Sequence, residues 1–157
     1  MTLTDLDFLR QAIAVSRRAR DKGNHPFGAI LVSPSGQVLL EAENTVITSR
    51  DATGHAETNL VRRASQTFPP EVLAATTLYS SCEPCAMCSG AIYWAGISRV
   101  VYALSESGLL DATGANTHNP TMSLPCREVL ARGQREFWVR GPALEYEARA
   151  VHEGFWQ

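Results

Sequence analysis

Apolar side chains at Leu6, Leu9, Ile13 and Val15, with alanines between them, recur at helical spacing, so the chain opens on an amphipathic helix that runs out near Gly23. Thr4 followed three residues later by Asp7 reads as its capping box. Beyond Gly23, the runs FGAILVS, PSG and QVLLEAENTV read as strand, turn and strand, a hairpin. A helix is expected from about His55 to Ala64, and the Phe-Pro-Pro at 68–70 ends that region. TTLYS is a short buried strand, CAMCSGAIYWAG a helix and SRVVYAL another strand. The polar stretch from Ser105 to Pro125 is too long for a mere connector in a chain of this size. Cys126 to Arg132 reads as helical, EFWVR as a strand, and Pro142 to Trp156 as a final helix with proline at its start. Strands separated by helices imply an α/β layered domain with a largely covered sheet.

Composition narrows what such a domain could do. At 157 residues, 45% hydrophobic and 19% charged, the chain reads as one domain, 1–157, with interior enough for a full core. No apolar run is long enough to span a bilayer, and MTLTDLDFLR lacks the basic and apolar regions of a secretory signal, so the expected location is cytoplasmic. A formal net charge of −2 offers no large positive field to gather polyanions, which argues against a tightly bound nucleic acid. The basic runs RRARDK and Arg62-Arg63 read as solvated helix faces. In a reducing compartment, the four cysteines are metal ligands or catalytic thiols before they are a disulfide framework.

Three of those cysteines, Cys82, Cys85 and Cys88, stand at equal intervals in YSSCEPCAMCSGA. Pro84 starts a helix whose first turn carries Cys85 and Cys88 at i and i+3, close enough for both sulfurs to hold one ion. The positive helix end favours thiolate there. A second helix opens on His55-Ala56-Glu57, where an i, i+2 pair diverges, so that one side chain can bind an ion while the other reaches past it. His55, Cys85 and Cys88 would give a tetrahedral zinc three protein ligands and one open position, as in catalytic sites. The competing reading is a structural zinc knuckle, which needs a fourth protein ligand; Cys82 is the candidate. Otherwise Cys82 is a buried thiol beside the site, Cys126 packs under the loop before it, and Glu83 turns the chain into the helix. His25, His118 and His152 are read as ordinary histidines.

An H-x-E followed by P-C-x-x-C is the signature of zinc deaminases. On these residues, and on HPFGAI, HAETN and TLYSSCEPCAMCSGAIYWAG, the chain resembles the cytidine deaminase superfamily over nearly its whole length. Within it, the chain is similar to the bacterial guanine deaminases, whose PFGA, SCEPC and GAIYWA runs look much like its own. The resemblance implies a three-layer α/β/α sandwich with a mixed five-stranded sheet, assembled as a homodimer. It implies one Zn2+ per chain on His55, Cys85 and Cys88, and Glu57 as the catalytic proton shuttle.

For the substrate, Asn44 matches the position where the guanine deaminases carry an asparagine that hydrogen-bonds the base, and Phe27 is placed to stack on a ring. Aligning Gly108 with a glycine of the family's specificity loop brings Asp111 onto the acid that reads the guanine edge. The chain departs from that loop by being several residues shorter before the glycine and by having Leu110 in place of a second acid. The expectation is a hydrolytic deaminase of a free amino-substituted nucleobase, guanine-like, with cytosine, isocytosine or an aminotriazine open. Alternatives are a tRNA adenosine deaminase, a guanosine or cytidine deaminase, and a zinc-stabilised binding module without catalysis.

Overall fold

The computed structural model describes residues 1–157. Its elements in chain order are α1 (Leu3–Asp21), β1 (Gly28–Val32), β2 (Val38–Glu43), α2 (Val46–Ser49), α3 (Ala56–Thr67), α4 (Pro70–Ala74), β3 (Thr77–Cys82), α5 (Ala86–Ala95), β4 (Arg99–Leu104), α6 (Glu106–Thr113), α7 (Cys126–Ala131), β5 (Trp138–Arg140) and α8 (Glu145–Ala150). The strands form one sheet in the order β2-β1-β3-β4-β5. β1 runs antiparallel to both β2 and β3, whereas β3, β4 and β5 are parallel to one another. The two parallel steps require crossovers, and helices α5 and α7 lie in them.

Both faces of this sheet are covered, as the side-chain alternation of its strands dictates. Ala29 and Leu31 of β1, with Val100 and Tyr102 of β4, pack with Leu60 and Ala64 of α3, Ile92 of α5 and Leu130 of α7. Ile30, Val32, Val101 and Ala103 point the other way, to Leu9, Ala12 and Val15 of α1 and Ala148 of α8. The result is the three-layer α/β/α sandwich with a mixed five-stranded sheet that the resemblance implies. Helix α1 lies so close on β1 that a Cβ at position 28 would stand 2.7 Å from the Ala12 carbonyl oxygen, which restricts the site to Gly28.

Two local expectations are corrected and a third is extended. The T-x-x-D spacing occurs twice near the N-terminus, and the cap forms on the earlier pair: Asp5 N donates to Thr2 Oγ1 at 3.1 Å and Thr2 N to Asp5 Oδ2 at 2.7 Å. Tyr79 donates its hydroxyl to the second Asp5 oxygen at 2.7 Å, a partner that Asp7 does not have. The stretch from Ser105 to Pro125 begins with a helix, α6, capped by Ser105 Oγ accepting from Gly108 N at 3.1 Å. The final helix starts only after Leu144, whose φ of 56° is left-handed, so no α-helix can run from Pro142 through it.

Candidate active site

The topology brings the chemistry to one edge of the sheet. With β1 reversed between them, β2 and β3 point the same way, and β4 is parallel to β3. The C-terminal ends of β2, β3 and β4 therefore share an edge, and so does the start of β1. That edge collects Phe27 before β1, Asn44 after β2, Cys82 at the end of β3, and the starts of α5 and α6. The carboxyl ends of strands at a point where connections diverge are where α/β sheets hold ligands.

His55 keeps extended backbone angles, φ −72° and ψ 152°, immediately before α3, and Cys85 is the residue immediately before α5. Both side chains leave their helices at the tip and meet. His55 Nδ1 lies 3.4 Å from Cys88 Sγ and 3.6 Å from Cys85 Sγ. Zinc–sulfur bonds of about 2.3 Å and zinc–nitrogen bonds of about 2.0–2.1 Å at a tetrahedral angle separate the two donors by roughly 3.5 Å, so this set fits zinc. Cys82 stands outside the cluster. It is buried, and burial pushes its thiol well above the ordinary range.

The sulfurs of Cys85 and Cys88 pair closely enough to divide their charge. Hydrogen bonding from Cys88, helped by His55, brings Cys85 down to about 4, while the same pairing and burial push Cys88 up. The contact with Cys85 raises His55, outweighing burial.

Three acids line the cavity beside the cluster, each in a different state. Glu57 is buried in the first turn of α3, and Ser80 of β3 donates its hydroxyl to Glu57 Oε1 at 2.5 Å. Burial raises its pKa against that hydrogen bond. Glu83 uses both oxygens on backbone: Oε2 accepts from Glu106 N and Oε1 from Cys126 N, each at 2.9 Å. Glu106 opens α6 with its side chain buried, and its Oε2 is enclosed without any hydrogen-bond partner. Such an atom costs about 1–3 kcal/mol. Burial, then the charges of Cys85, Glu83 and Glu57, push its carboxyl up to about 8.

The cavity has a volume of about 400 Å³, and none of its 18 lining residues is lysine or arginine. Phe27 lines it, its ring edge-on to His152 at 5.3 Å and tilted against Trp156 at 6.2 Å. Asn44 also lines it, with Oδ1 accepting from Val46 N at 3.0 Å, which leaves its Nδ2 donor without a protein partner. The segment from His118 to Met122 forms another part of its wall.

Asp111 is not among the residues that line the cavity. Because Ser105 onward is helical, Glu106 and Leu109 share the cavity face of α6, while Leu110 and Asp111 turn to solvent. Asp111 is exposed, and its carbonyl oxygen accepts from Arg149. The sequence reading also missed Ser80, Glu83 and Glu106. Ser80 carries a weak signal, one of two adjacent serines in a fully buried part of β3; the other two depend on contacts made across the fold.

Residues 3–104 match the family model described as the cytidine and deoxycytidylate deaminase zinc-binding region. The chain is 43% identical over 152 residues to a protein of Schizosaccharomyces pombe described as a probable cytosine deaminase, covering 97% of this chain and 92% of that one. It is 40% identical over 106 residues to guanine deaminase of Bacillus subtilis, two thirds (67%) of either chain. The crystal structure of that enzyme superimposes with a TM-score of 0.60 over 71% of this chain and 70% of its own. A tRNA-specific adenosine deaminase of Aquifex aeolicus is 35% identical over 61% of this chain and 63% of its own.

Proposed function

The chain belongs to the cytidine and deoxycytidylate deaminase family, and we propose that it is a zinc-dependent hydrolytic deaminase of free amino-substituted heterocyclic bases, guanine and cytosine analogues included. The observation that carries this reading is the cavity beside the His55–Cys85–Cys88 cluster. It reaches the buried Glu57, its volume of about 400 Å³ is at the small end for ligand sites, and its lining offers no cation to a phosphate group. A nucleotide would bring charge that nothing there balances. A tRNA substrate would also require a basic surface, against a net charge of −2.

His55, Cys85 and Cys88 would hold the zinc, which when bound supplies a Lewis acid and a water acid enough to act near neutral pH. Glu57 takes one proton of the attacking water and gives it to the ring nitrogen beside the amino-bearing carbon; it then takes the second from the hydroxyl now on that carbon and gives it to the amino group, which leaves as ammonia as the ring carbonyl forms. Ser80 holds the Glu57 carboxyl in the orientation for that relay. Asn44 offers its Nδ2 donor to an acceptor on the base, and Phe27 offers a ring face. Cysteine ligands suit a reducing compartment such as the cytoplasm. Trp94, 79% exposed on α5, supports pairing with a second copy of the chain, which light scattering of the purified protein tests.

The experiment is ammonia release from zinc-loaded protein across guanine, cytosine, isocytosine and an aminotriazine, with cytidine, deoxycytidylate and a tRNA anticodon stem as comparison substrates. Turnover of at least one free base above all three comparison substrates is expected. Preference for the nucleotide or the RNA refutes the reading.

A further inference from the structure

Of the three acids on the cavity, two are accounted for: Glu57 is held by Ser80, and Glu83 spends both oxygens on backbone N–H groups. Glu106 is left over. Its residue is 8% exposed, and Oε2 is the one buried side-chain nitrogen or oxygen atom in the molecule without a hydrogen-bond partner. Buried acceptors are nearly always paired, so a position that keeps one unpaired is an argument for a donor that arrives with a ligand. The residue does not belong to the metal cluster. Its backbone is fixed, because Glu106 N donates to Glu83 Oε2 at 2.9 Å, and it shares the cavity face of α6 with Leu109. The acid is thus held in place by the chain while one of its carboxyl oxygens is left unpaired.

We propose that Glu106 is the specificity-determining residue of this site, accepting a hydrogen bond from a ring N–H of the heterocycle. The inference rests on the free-base reading above and deepens it. The chemical class it selects is a base with an unsubstituted ring nitrogen on the edge that meets α6. A nucleoside, or a base methylated at that nitrogen, brings a carbon where the enclosed acceptor needs a hydrogen, and the site rejects it because the acceptor stays unpaired. Asn44 Nδ2 supplies a donor to the same cavity, so donor and acceptor together fix the ring's orientation in its plane.

The test is a cycle between protein and substrate. Wild type, Glu106→Gln and Glu106→Met, each zinc-loaded, are assayed on guanine and its 1-, 3-, 7- and 9-methyl derivatives and on cytosine and 1-methylcytosine. In wild type, methylation of one ring nitrogen should lower kcat/KM by at least about 30-fold. In Glu106→Met that same penalty should fall to within about 3-fold, and Glu106→Gln, which keeps one acceptor of the same shape, should lie between. Thermal midpoints of the ligand-free proteins supply a readout apart from turnover. Removing an unpartnered buried acid should leave the midpoint of Glu106→Met equal to or above that of wild type.

A methylation penalty that is unchanged in Glu106→Met, in an enzyme active on free bases, overturns the inference and leaves the free-base reading standing. A midpoint that drops by more than about 5 °C in both variants shows that Glu106 serves the fold and likewise overturns it. Wild type inactive on every free base overturns both.

Discussion

Replacing Glu83 with alanine should damage the fold more than its place next to the metal cluster suggests. The side chain is 8% exposed and accepts two backbone N–H groups at 2.9 Å, those of Glu106 and Cys126. Alanine leaves both donors facing the space the carboxyl occupied. At about 1–3 kcal/mol for each buried group left unpaired, the expected loss is roughly 2–6 kcal/mol. For a chain of this length that corresponds to roughly 5–20 °C in the thermal midpoint. Glu83→Gln keeps one acceptor and should fall between wild type and alanine. The assay is urea unfolding followed by far-ultraviolet circular dichroism, with zinc content measured on the same samples so that metal loss is not mistaken for chain destabilisation. A loss below about 1 kcal/mol for Glu83→Ala, with zinc retained, would refute the reasoning, because water or a neighbour would then have satisfied both donors.

Glu57→Gln should keep zinc and secondary structure while turnover falls by a factor on the order of 10² or more, measured as ammonia release at saturating substrate. His152 is buried, and burial, then the charge of Arg20, hold its imidazole down to about 4 from 6.5. Trp156 Nε1 donates to its Nδ1 at 3.1 Å, which requires the neutral ring. The unfolded chain therefore binds the extra proton between those values, so this contribution is complete above about pH 6.5 and is lost as pH falls toward 4, roughly 2–4 kcal/mol in all. His152→Phe should flatten that part of the stability–pH profile, and an unchanged slope would remove His152 as its source. Gly28→Ala should lose roughly 1–3 kcal/mol in denaturant unfolding by forcing α1 off β1; a change within error would mean that the helix shifts freely.

Much of the architecture was legible because it is written in local periods. The hairpin of β1 and β2, the strands β3 and β4 and the helix carrying Cys88 all follow from apolar spacing and a few turn residues. The cysteines and His55 were legible for a different reason: donors at fixed spacings beside two helix starts can meet, and these three do. What was not legible depended on distance. Glu83 looks like a turn residue until residues 106 and 126 are seen to fold back onto it. Asp111 was placed by aligning a glycine, yet the helix that begins at Glu106 turns it outward and brings in an acid five positions earlier. Asp5 of the cap at Thr2 also accepts from Tyr79, far along the chain, a contact that no local spacing shows.

Glu83 grips the two ends of one excursion, from Glu106 to Cys126, and that excursion supplies both Glu106 and the wall from His118 to Met122. Its stem is fixed however long the excursion becomes, since the entropy of a closed loop grows only slowly with its length. His55, Glu57, Ser80, Cys85 and Cys88, to which the proposed reading gives the metal and the protons, all lie outside that excursion. The arrangement works like a handle with an exchangeable bit. Stretches of different length and composition can be grafted between the same two anchor points, and the range of rings accepted can be rewritten while the reaction itself is inherited unchanged.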